Sequence, residues 1–398
     1  MEQVLYQLPE GWDWQTIEEV AQIGADRGFV PTPDSEGNVP FIGMTDIDQE
    51  TGQKSTYELR NFDDVKKGYT KFQRDVVLFA KITPCTENNK TALIDNVDGG
   101  FATTEVFPIH ALDSVEPKYL LHFFRSPSVR RFLIDHMEGA TGRQRVPLKA
   151  LKNVSVPVCG LKEQKRIVEK LDALLTRIDT AIEHLQSKLD LSKQLFDSVL
   201  DEFFKLSDCD SVPLTEVVDF IGGSQPPKSQ FSDVQKEGYV RLIQIRDYKT
   251  DNHIVYVDSA STKKFCTKDD VMIGRYGPPV FQILRGLDGA YNVALMKAVP
   301  NEDVLTKDYL FWFLQSPSIQ NYVIGISQRA AGQSGVNKKA LEKYLIPVPN
   351  KAIQNDIVEK VGQLVNKSRN LEAEVTAEIT SLNQLKASIL DSAFKGEL

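Results

Sequence analysis

Two groups of polar and basic side chains have the types and spacing to hydrogen-bond to nucleic-acid bases. The first group follows an apolar run at 75–79 and consists of Lys81, Thr83, Asn88, Asn89 and Lys90. The second group follows a similar run at 270–273, with one member beside an earlier strand end, and consists of Arg246, Arg275, Tyr276, Gln282 and Arg285. Asparagine pairs bidentately with adenine, and lysine or arginine with guanine, so both groups suit the reading of base edges. For each residue taken singly, a solvated loop charge is the alternative.

Two glycine-containing turns at equivalent positions add further candidates. The first turn, 141–145, contains Arg143, Gln144 and Arg145, and the second, 331–335, contains Gln333 and Ser334. Each turn comes just before the last predicted strand of its domain. Arg143 and Arg145 could clamp phosphate or read guanine.

These candidates lie on a duplicated chain. Residues 119–205 align without a gap to residues 309–395, so that Ser126-Pro127-Ser128 recurs at 316–318 and Ile167-Val168-Glu169-Lys170 at 357–360. The period is much longer than that of solenoid repeats, so each copy is a whole domain with a connector. Two copies predict a pseudo-two-fold molecule, which suits a two-fold partner such as duplex DNA.

Each copy ends in a long predicted helix. Apolar residues step alternately by four and three along the first, interrupted only by Ser192: Leu171, Leu175, Ile178, Ile182, Leu185, Leu189, Phe196, Val199 and Phe203. The second copy has a similar seam with polar breaks near Ser368 and Glu378: Ile357, Val361, Leu364, Leu371, Val375, Ile379, Leu382, Leu385 and Ile389. Such seams are typical of coiled coils. We expect two helices, about 60–70 Å long at 1.5 Å per residue, to pack antiparallel. A solvated amphipathic strut is the alternative.

A mixed α/β domain precedes each helix, which predicts an α+β fold. The expected segments are a first domain at 1–158, a first helical spacer at 159–206, a second domain at 207–348 and a second spacer at 349–398. Strand-like runs recur in the same order in both domains, whereas the loops differ, as at 82–89 and 276–285. A common frame with altered loops is typical of two sites for two different ligands.

Charge is unevenly distributed along the chain. The net charge is -8, yet residues 119–160 carry seven Lys or Arg against two Asp or Glu, while residues 1–118 carry ten against twenty-one. Overall acidity argues against strong DNA binding by this chain alone, because non-specific affinity comes mainly from neutralising phosphates. It is compatible with a subunit whose partners supply most phosphate contacts. The basic strip from Arg125 to Lys152 favours DNA.

Several other functions find no support in the sequence. There is no Gly-Lys dipeptide, hence no Walker A loop. The five histidines are not at metal-ligand spacing and the four cysteines stand far apart, so we expect no metal site and no catalytic residue. Without an apolar run of about 18 residues or a signal-like start, we expect a cytoplasmic protein with no membrane contact.

Three segments carry a resemblance to a known family. Residues 157–168 read Pro-Val-Cys-Gly-Leu-Lys-Glu-Gln-Lys-Arg-Ile-Val, and 347–358 repeat the pattern with Ile353 in place of Glu163. This looks like the family pattern at the start of a conserved helix, and Ile353 predicts a weaker helix cap. Residues 79–90 are similar to a segment of many target-recognition domains. The chain thus resembles the specificity subunit of type I restriction-modification enzymes over nearly its whole length.

The resemblance implies a non-catalytic recognition role. Two target-recognition domains would each read half of a split double-stranded DNA site in the major groove, with the paired helices as a ruler between them. Those helices would dock two methyltransferase (modification) subunits, which bind S-adenosylmethionine and methylate adenine. The assembly could recruit restriction subunits that translocate DNA with ATP and Mg²⁺. This chain would bind no cofactor itself.

Two rival functions remain at the level of sequence. A pure interaction protein would be a helical strut with two protein-binding modules and no DNA, and the acidic first domain favours it. A stand-alone methyltransferase would bind its cofactor in the isolated chain. Copurification with methyltransferase-like subunits and a DNA mobility shift would separate these alternatives.

Overall fold

The chain divides into two units, and both long helices contribute to each unit. The computed structural model describes residues 3–52, 57–205, 209–328 and 335–398. Unit 1 contains residues 1–185 and 376–398, and unit 2 contains residues 186–375. Each unit therefore combines an α/β domain with the start of the helix that follows it and the end of the helix from the other copy.

The first α/β domain alternates short strands and helices before one long helix. Its elements are β1 (Asp13–Thr16), α1 (Ile17–Val20), β2 (Ala21–Ile23), β3 (Asn38–Ile42), a 3-10 turn (Met44–Asp46), β4 (Glu58–Asn61), α2 (Phe62–Val65), β5 (Thr70–Gln73), β6 (Val76–Ala80), β7 (Thr91–Ile94), β8 (Gly99–Ala102), β9 (Val106–Ala111), α3 (Pro117–Arg125), α4 (Pro127–Asp135), α5 (Leu148–Lys152), β10 (Ser155–Val158) and α6 (Leu161–Phe203).

Two four-stranded sheets form the frame of this domain. One has the order β2-β9-β6-β7 and is antiparallel, and the other has the order β4-β3-β8-β5 with β3 and β8 parallel. A small ladder pairs β1 with β10. All five residues of β6 are buried because both of its faces are covered. Val77 and Phe79 pack with α3, whereas Val76 and Leu78 pack in a second core with β3 and β5.

The second domain repeats this order, except for an additional 3-10 turn after its second strand and a 3-10 turn in place of α2. Its elements are β11 (Ser211–Pro213), α7 (Leu214–Val217), β12 (Val218–Gly222), a 3-10 turn (Lys228–Gln230), β13 (Tyr239–Ile243), a 3-10 turn (Ile245–Tyr248), β14 (Tyr256–Asp258), a 3-10 turn (Ser259–Ser261), β15 (Phe265–Cys266), β16 (Val271–Gly274), β17 (Gln282–Leu284), β18 (Gly289–Tyr291), β19 (Leu295–Pro300), α8 (Lys307–Phe313), α9 (Pro317–Gln328), α10 (Lys338–Glu342), β20 (Leu345–Pro347) and α11 (Lys351–Ala393).

The sheets of the second domain have the same topology as those of the first. Their orders are β12-β19-β16-β17 and β14-β13-β18-β15, again with one parallel pair, and β11 pairs with β20. In β16, Val271 and Ile273 face the helical core while Met272 faces the second core. The predicted α+β fold with two mixed α/β domains is confirmed.

The long helices pack antiparallel within each unit, as the seams predicted. Each helix has 43 residues. In unit 1, Arg166 donates a hydrogen bond to the carbonyl of Leu398 at 2.6 Å, and Asp179 pairs with Lys386 further along. In unit 2, Leu200 and Val361 belong to one core. The predicted spacer helices are therefore real, and their apolar seams form the contact between them.

One residue of the second seam was assigned to the wrong face. Leu385 is 49% exposed, and Lys386 occupies the seam position instead. The Lys386 side chain is only 17% exposed because its ammonium pairs with Asp179. An ion pair thus replaces an apolar contact at this level of unit 1.

Both helix starts depend on a buried glutamine. Gln164 Nε2 donates to the carbonyls of Ser114 and Cys159, at 3.0 and 2.7 Å, and Gln354 makes the same bonds at equivalent positions. The predicted weaker cap at Ile353 was wrong, because the carboxylate of its counterpart Glu163 pairs with Arg166 and not with a backbone amide of the helix start. Asn350 Oδ1 accepts the hydrogen bond of the Ile353 amide at 3.1 Å, so the second helix has its own cap.

Candidate nucleic-acid interface

The first candidate loop connects β6 to β7, and its first residues contact the turn at 141–145 and the following Val146. Val146 donates its amide to the carbonyl of Lys81 at 2.8 Å, and Ile82 forms a β-bridge with Arg145. Thr83 and Gln144 exchange two hydrogen bonds, of 3.0 and 3.1 Å. The structure thus brings together two segments that are about sixty residues apart in sequence, and the sequence had named both.

Lys81 and Arg145 share an acidic neighbour at this junction. Arg145 donates two hydrogen bonds to Glu105, at 2.9 and 2.7 Å. The hydrogen bond from Arg145 holds the pKa of Glu105 below its ordinary value. Lys81 lies over the Phe107 ring at 4.8 Å, and partial burial lowers its pKa while Glu105 opposes that effect. A phosphate approaching Arg145 must therefore compete with Glu105, whereas Arg143 is exposed.

The far end of the loop separates its polar residues into outward and inward groups. Asn88 is exposed, and Asn89 adopts a left-handed conformation with φ 58°. Lys90 points inward, and its ammonium donates to the carbonyls of Met44 and Ile47 at 2.8 and 3.2 Å. Asn88 is thus available to a ligand, and Lys90 is engaged by the protein itself.

The second domain has the corresponding junction. Val336 donates its amide to the carbonyl of Arg275 at 3.0 Å, and Tyr276 forms a β-bridge with Gly335. Arg275 therefore stands where Lys81 stands in the first domain. Its guanidinium lies 5.2 Å from the Tyr276 ring centroid and makes a long 3.4 Å hydrogen bond to the carbonyl of Val293. Tyr276 is 39% exposed.

The other candidate side chains of the second domain differ in how far they are exposed and bound by the protein itself. Arg246 is half exposed, and Gln282 donates to the carbonyl of Pro279 at 2.9 Å. Arg285 forms an ion pair with Asp308 and lies over the Phe311 ring at 4.5 Å. Nη1 of Arg285 is thus paired inside the domain, whereas its Nε and Nη2 are buried without a hydrogen-bond partner among the described residues. The candidates Gln333 and Ser334 lie outside the described residues.

Sequence reasoning misjudged the position of one cation. Arg125 was counted in a basic surface strip, but it is only 6% exposed and donates to backbone carbonyls of two different loops. Its place on α3, one turn after the buried Leu121, is the signal that could have revealed this. The strip is consequently shorter than predicted.

Neither metal sites nor membrane-spanning helices are found in the part of the chain that the structure describes. No cluster of His, Cys, Asp or Glu among the described residues could hold a metal ion. In the same residues, no helix combines the length and apolar character needed to span a bilayer.

Comparison with known proteins identifies the family. The family model described as type I restriction modification DNA specificity domain matches residues 9–190 and again 207–381. The chain is 33% identical over 198 residues to the type I restriction enzyme EcoAI specificity subunit of Escherichia coli, which covers 49% of this chain and 33% of that protein. The chain thus spans a third of the length of this relative.

Two further comparisons cover the chain more fully. The EcoBI specificity subunit of Escherichia coli is 25% identical over 446 residues, covering 99% of this chain and 88% of that protein. A chain from a structure reported as the basis of complex assembly and conformational transition of the type I R-M system has TM-score 0.80 and 23% identity, with coverage of 99% and 100%. That likeness concerns the fold. Two tandem α/β domains on paired helices define the class, and the chain belongs to the type I restriction modification DNA specificity family.

Proposed function

We propose that this chain is the DNA specificity subunit of a type I restriction-modification complex and is not itself an enzyme. The observation that carries the proposal is the matched junction in the two domains. Lys81 and Arg275 occupy the same place on the same frame, each bound through its carbonyl to the amide of an equivalent valine. The loops that follow are unrelated in sequence. Equal frames with different polar loops suit two readers of two different half-sites.

The side chains that are free to contact DNA differ between the readers. In the first domain they are Asn88, which suits adenine, and Arg143, which suits guanine or phosphate. In the second they are the exposed Arg246 and Tyr276, together with Arg275, whose hydrogen bond to the carbonyl of Val293 is long, at 3.4 Å. The complex would bind a split double-stranded site, one half per domain. Such a subunit would work in the cytoplasm, beside the DNA.

Partner subunits would supply catalysis and most phosphate contacts. The net charge of -8 favours this arrangement, because a chain of that charge gains little from non-specific attraction to DNA. We propose two methyltransferase subunits, which bind S-adenosylmethionine, and restriction subunits that use ATP and Mg²⁺. Isothermal titration of the isolated chain should find no site for S-adenosylmethionine or ATP at micromolar concentration. Binding there would favour a stand-alone methyltransferase instead.

Identical exposed residues on the two helices support two copies of one partner. Leu195 and Leu385 are 63% and 49% exposed and are related by the repeat, as are the exposed pairs Gln194 with Gln384 and Ser198 with Ser388. Leu191 is also exposed, one turn before Leu195, but its counterpart in the second helix is Ser381, so the leucine common to both helices is the one at 195 and 385. Because the pattern occurs twice, it suits two methyltransferase subunits that bind in the same way.

Exchange of one domain tests the two-reader proposal. Residues 8–158 are replaced by the corresponding domain of a relative, and the methylated sequence is determined by methylome sequencing. One half of the site should change while the other half stays as it was. If both halves change, or neither does, the domains are not independent readers.

The acidic first domain supports a second candidate, a protein-binding scaffold that does not touch DNA. Residues 1–118 carry ten basic and twenty-one acidic side chains. Purification of the chain with its natural partners, followed by a mobility-shift assay with duplex DNA, separates the two candidates. A stable complex that shifts no duplex DNA at low salt would favour the scaffold.

A further inference from the structure

Arg125 links two loops of the first domain through backbone hydrogen bonds. It lies at the end of α3 with 6% of its surface exposed. Nη1 donates to the carbonyl of Thr91 at 3.0 Å and of Asn89 at 3.3 Å, and Nη2 donates to the carbonyl of Glu50 at 2.7 Å and of Gln49 at 3.0 Å. One guanidinium thus holds the loop after β3 and the turn before β7 at a fixed separation.

Lys90 makes a second link between the same two segments. Its ammonium donates to the carbonyls of Met44 and Ile47, which precede the loop bound by Arg125. The loop also closes tightly around the guanidinium. Gly52 adopts φ +76°, and a Cβ built there would come within 2.8 Å of Arg125 Nη1. Residues 44–52 and 89–91 therefore form one frame around two cations, which we call the two-cation frame.

The second domain is built differently at this position. Gln315 replaces Arg125 at the repeat offset, and its Nε2 donates to the Phe311 carbonyl of its own helix at 3.1 Å. Arginine at this position carries a cost that glutamine does not. A buried guanidinium loses its hydration, and protein acceptors must replace the lost water. Burial lowers the pKa of Arg125 to about 10, with Asp48 opposing the effect, so the group stays charged at neutral pH. The first domain thus retains a costly charge whose four hydrogen bonds all end on backbone carbonyls.

The two-cation frame holds the residue that we expect to read DNA in the first domain. Asn88 is exposed and directly precedes residues 89–91, whose carbonyls the frame fixes. A side chain reads a base edge only when its backbone is held in register, since bidentate pairing tolerates little displacement. We propose that Arg125 and Lys90 are positioning residues that set the specificity of the first half-site without contacting DNA. This inference rests on the proposed function.

Substitution of Arg125 tests the inference in the complete complex with its methyltransferase subunits. Arg125→Gln places the residue of the second domain in the first, and Arg125→Lys keeps a cation that can satisfy some of the carbonyls. Methylation rates are measured on the natural site and on sites with one base changed in either half. Discrimination in the first half-site should fall about tenfold in Arg125→Gln, and Arg125→Lys should restore part of it. Discrimination in the second half-site should be unchanged.

Two further variants keep the test decisive. Arg131→Gln removes the same charge from an exposed position of α4; because Arg131 belongs to the remaining basic strip, the change can lower affinity equally for all sequences but should leave discrimination intact. Lys90→Met removes the second link and applies even if Arg125→Gln does not fold. For a positioning role, Lys90→Met lowers discrimination while the dependence of affinity on salt stays the same. For a phosphate contact, affinity falls equally for all sequences and the salt slope decreases by about one.

The outcomes separate this inference from the proposed function. If the unsubstituted complex shows no half-site preference, the proposed function itself is wrong. If the unsubstituted complex discriminates and the Arg125→Gln and Lys90→Met complexes discriminate equally well, the frame is structural only and the inference is overturned. Equal losses in both half-sites would also overturn it, because a local frame acts on one reader.

Discussion

Gln164 and Gln354 fix the starts of α6 and α11 with the same set of hydrogen bonds. Each is fully buried, accepts one backbone amide and donates to two backbone carbonyls. The amides belong to Glu116 and Thr306, which precede α3 and α8. One side chain in each copy thus connects the start of a long helix to the start of a domain helix. This explains why the glutamine is present in both copies although its neighbours differ.

Replacement of either glutamine by leucine should destabilise the chain. Gln164→Leu leaves a buried amide and two buried carbonyls without that partner, and each such group costs about 1–3 kcal/mol. Gln354→Leu should have a similar effect on unit 2. Urea unfolding monitored by circular dichroism measures both. The exposed Gln384→Leu and Gln194→Leu serve as matched controls and should change the unfolding free energy by less than about 0.5 kcal/mol. Similar small changes for the buried pair would contradict the prediction.

Asp270 in the second domain gives stability that depends on pH. It accepts hydrogen bonds from Lys307 and Lys297 at 3.0 and 3.1 Å and from the Thr267 amide at 2.9 Å. Burial raises its pKa, but these three partners outweigh burial and lower the pKa from 3.8 to about 2. A depressed carboxyl pKa stabilises the folded state fully above pH 3.8, and this contribution is lost as pH falls through about 2.

Asp270→Asn should therefore cost roughly 2 kcal/mol at neutral pH. The difference in unfolding free energy between Asp270→Asn and the natural chain should shrink as pH is lowered from about 4 to 2. Asp269→Asn changes the same charge at the exposed neighbouring position and should show little effect. A constant difference across this pH range would mean that the carboxyl charge is not what stabilises the site.

At the scale of elements, the sequence predicts which segments form helices and strands better than it predicts their local neighbours. Apolar residues spaced by three and four identify both long helices, because the spacing reflects the contact itself. The position of Lys386 in the seam was not predictable, since its partner Asp179 lies on the other helix, about two hundred residues away. A lysine reads as solvent-exposed until such a partner is known.

In the candidate interface, too, the sequence does not predict contacts between distant segments. The sequence identifies the two loops of the first domain, and the structure brings them together at Thr83 and Gln144. Residue type alone does not indicate that Glu105 neutralises Arg145, that Lys90 points inward or that Arg125 is buried. These differences arise from contacts between distant segments. They decide which cations remain free for a phosphate or a base.

A polar position in the second helix leaves the helix pair of unit 2 incompletely packed. Ser368 lines a groove of about 450 Å³ with Leu189, Phe196 and Val365. At the repeat offset, unit 1 has Ile178, which is 8% exposed. The smaller side chain of Ser368 leaves space between Leu189, Phe196 and Val365 that a residue of the size of Ile178 could occupy.

Ser368→Ile should stabilise unit 2 by about 1 kcal/mol, because it buries apolar surface in an existing groove. The reverse change, Ile178→Ser, should destabilise unit 1 by about 2–4 kcal/mol. Differential scanning calorimetry of both variants measures the effects, with the exposed Ser187→Ile as control. If Ser368→Ile and Ser187→Ile change the transition temperature equally, the groove does not accept the added side chain.

At the scale of the whole molecule, the two copies contribute to each other's unit by the same contacts. Ser128 donates to Asp391 at 2.7 Å in unit 1, and Ser318 donates to Asp201 at 2.7 Å in unit 2. Phe394 packs edge-on against Tyr119, as Phe204 does against Tyr309. Each α/β domain thus binds the end of the helix from the other copy. Both helices are consequently part of the connection between the two proposed readers.

That connection leads to a prediction about the spacing of the DNA site. Seven residues are added after Leu185 in α6 and after Val375 in α11, at the boundaries of the units. A whole heptad keeps the apolar seam in register and adds about 10 Å of helix. This equals about three base pairs at roughly 3.4 Å each. Methylome sequencing should therefore find both half-sequences unchanged with a gap about three base pairs longer.

The rate of methylation by the elongated complex should also fall. Three extra base pairs rotate the second half-site by about 100°, given 10–10.5 base pairs per turn, so at least one reader meets its half-site at an altered angle. Adding the heptad to α6 alone is the control, because it misaligns the contacts between the helices and should prevent assembly. An elongated complex that assembles and still methylates at the original spacing would show that the helices do not measure the distance between the half-sites.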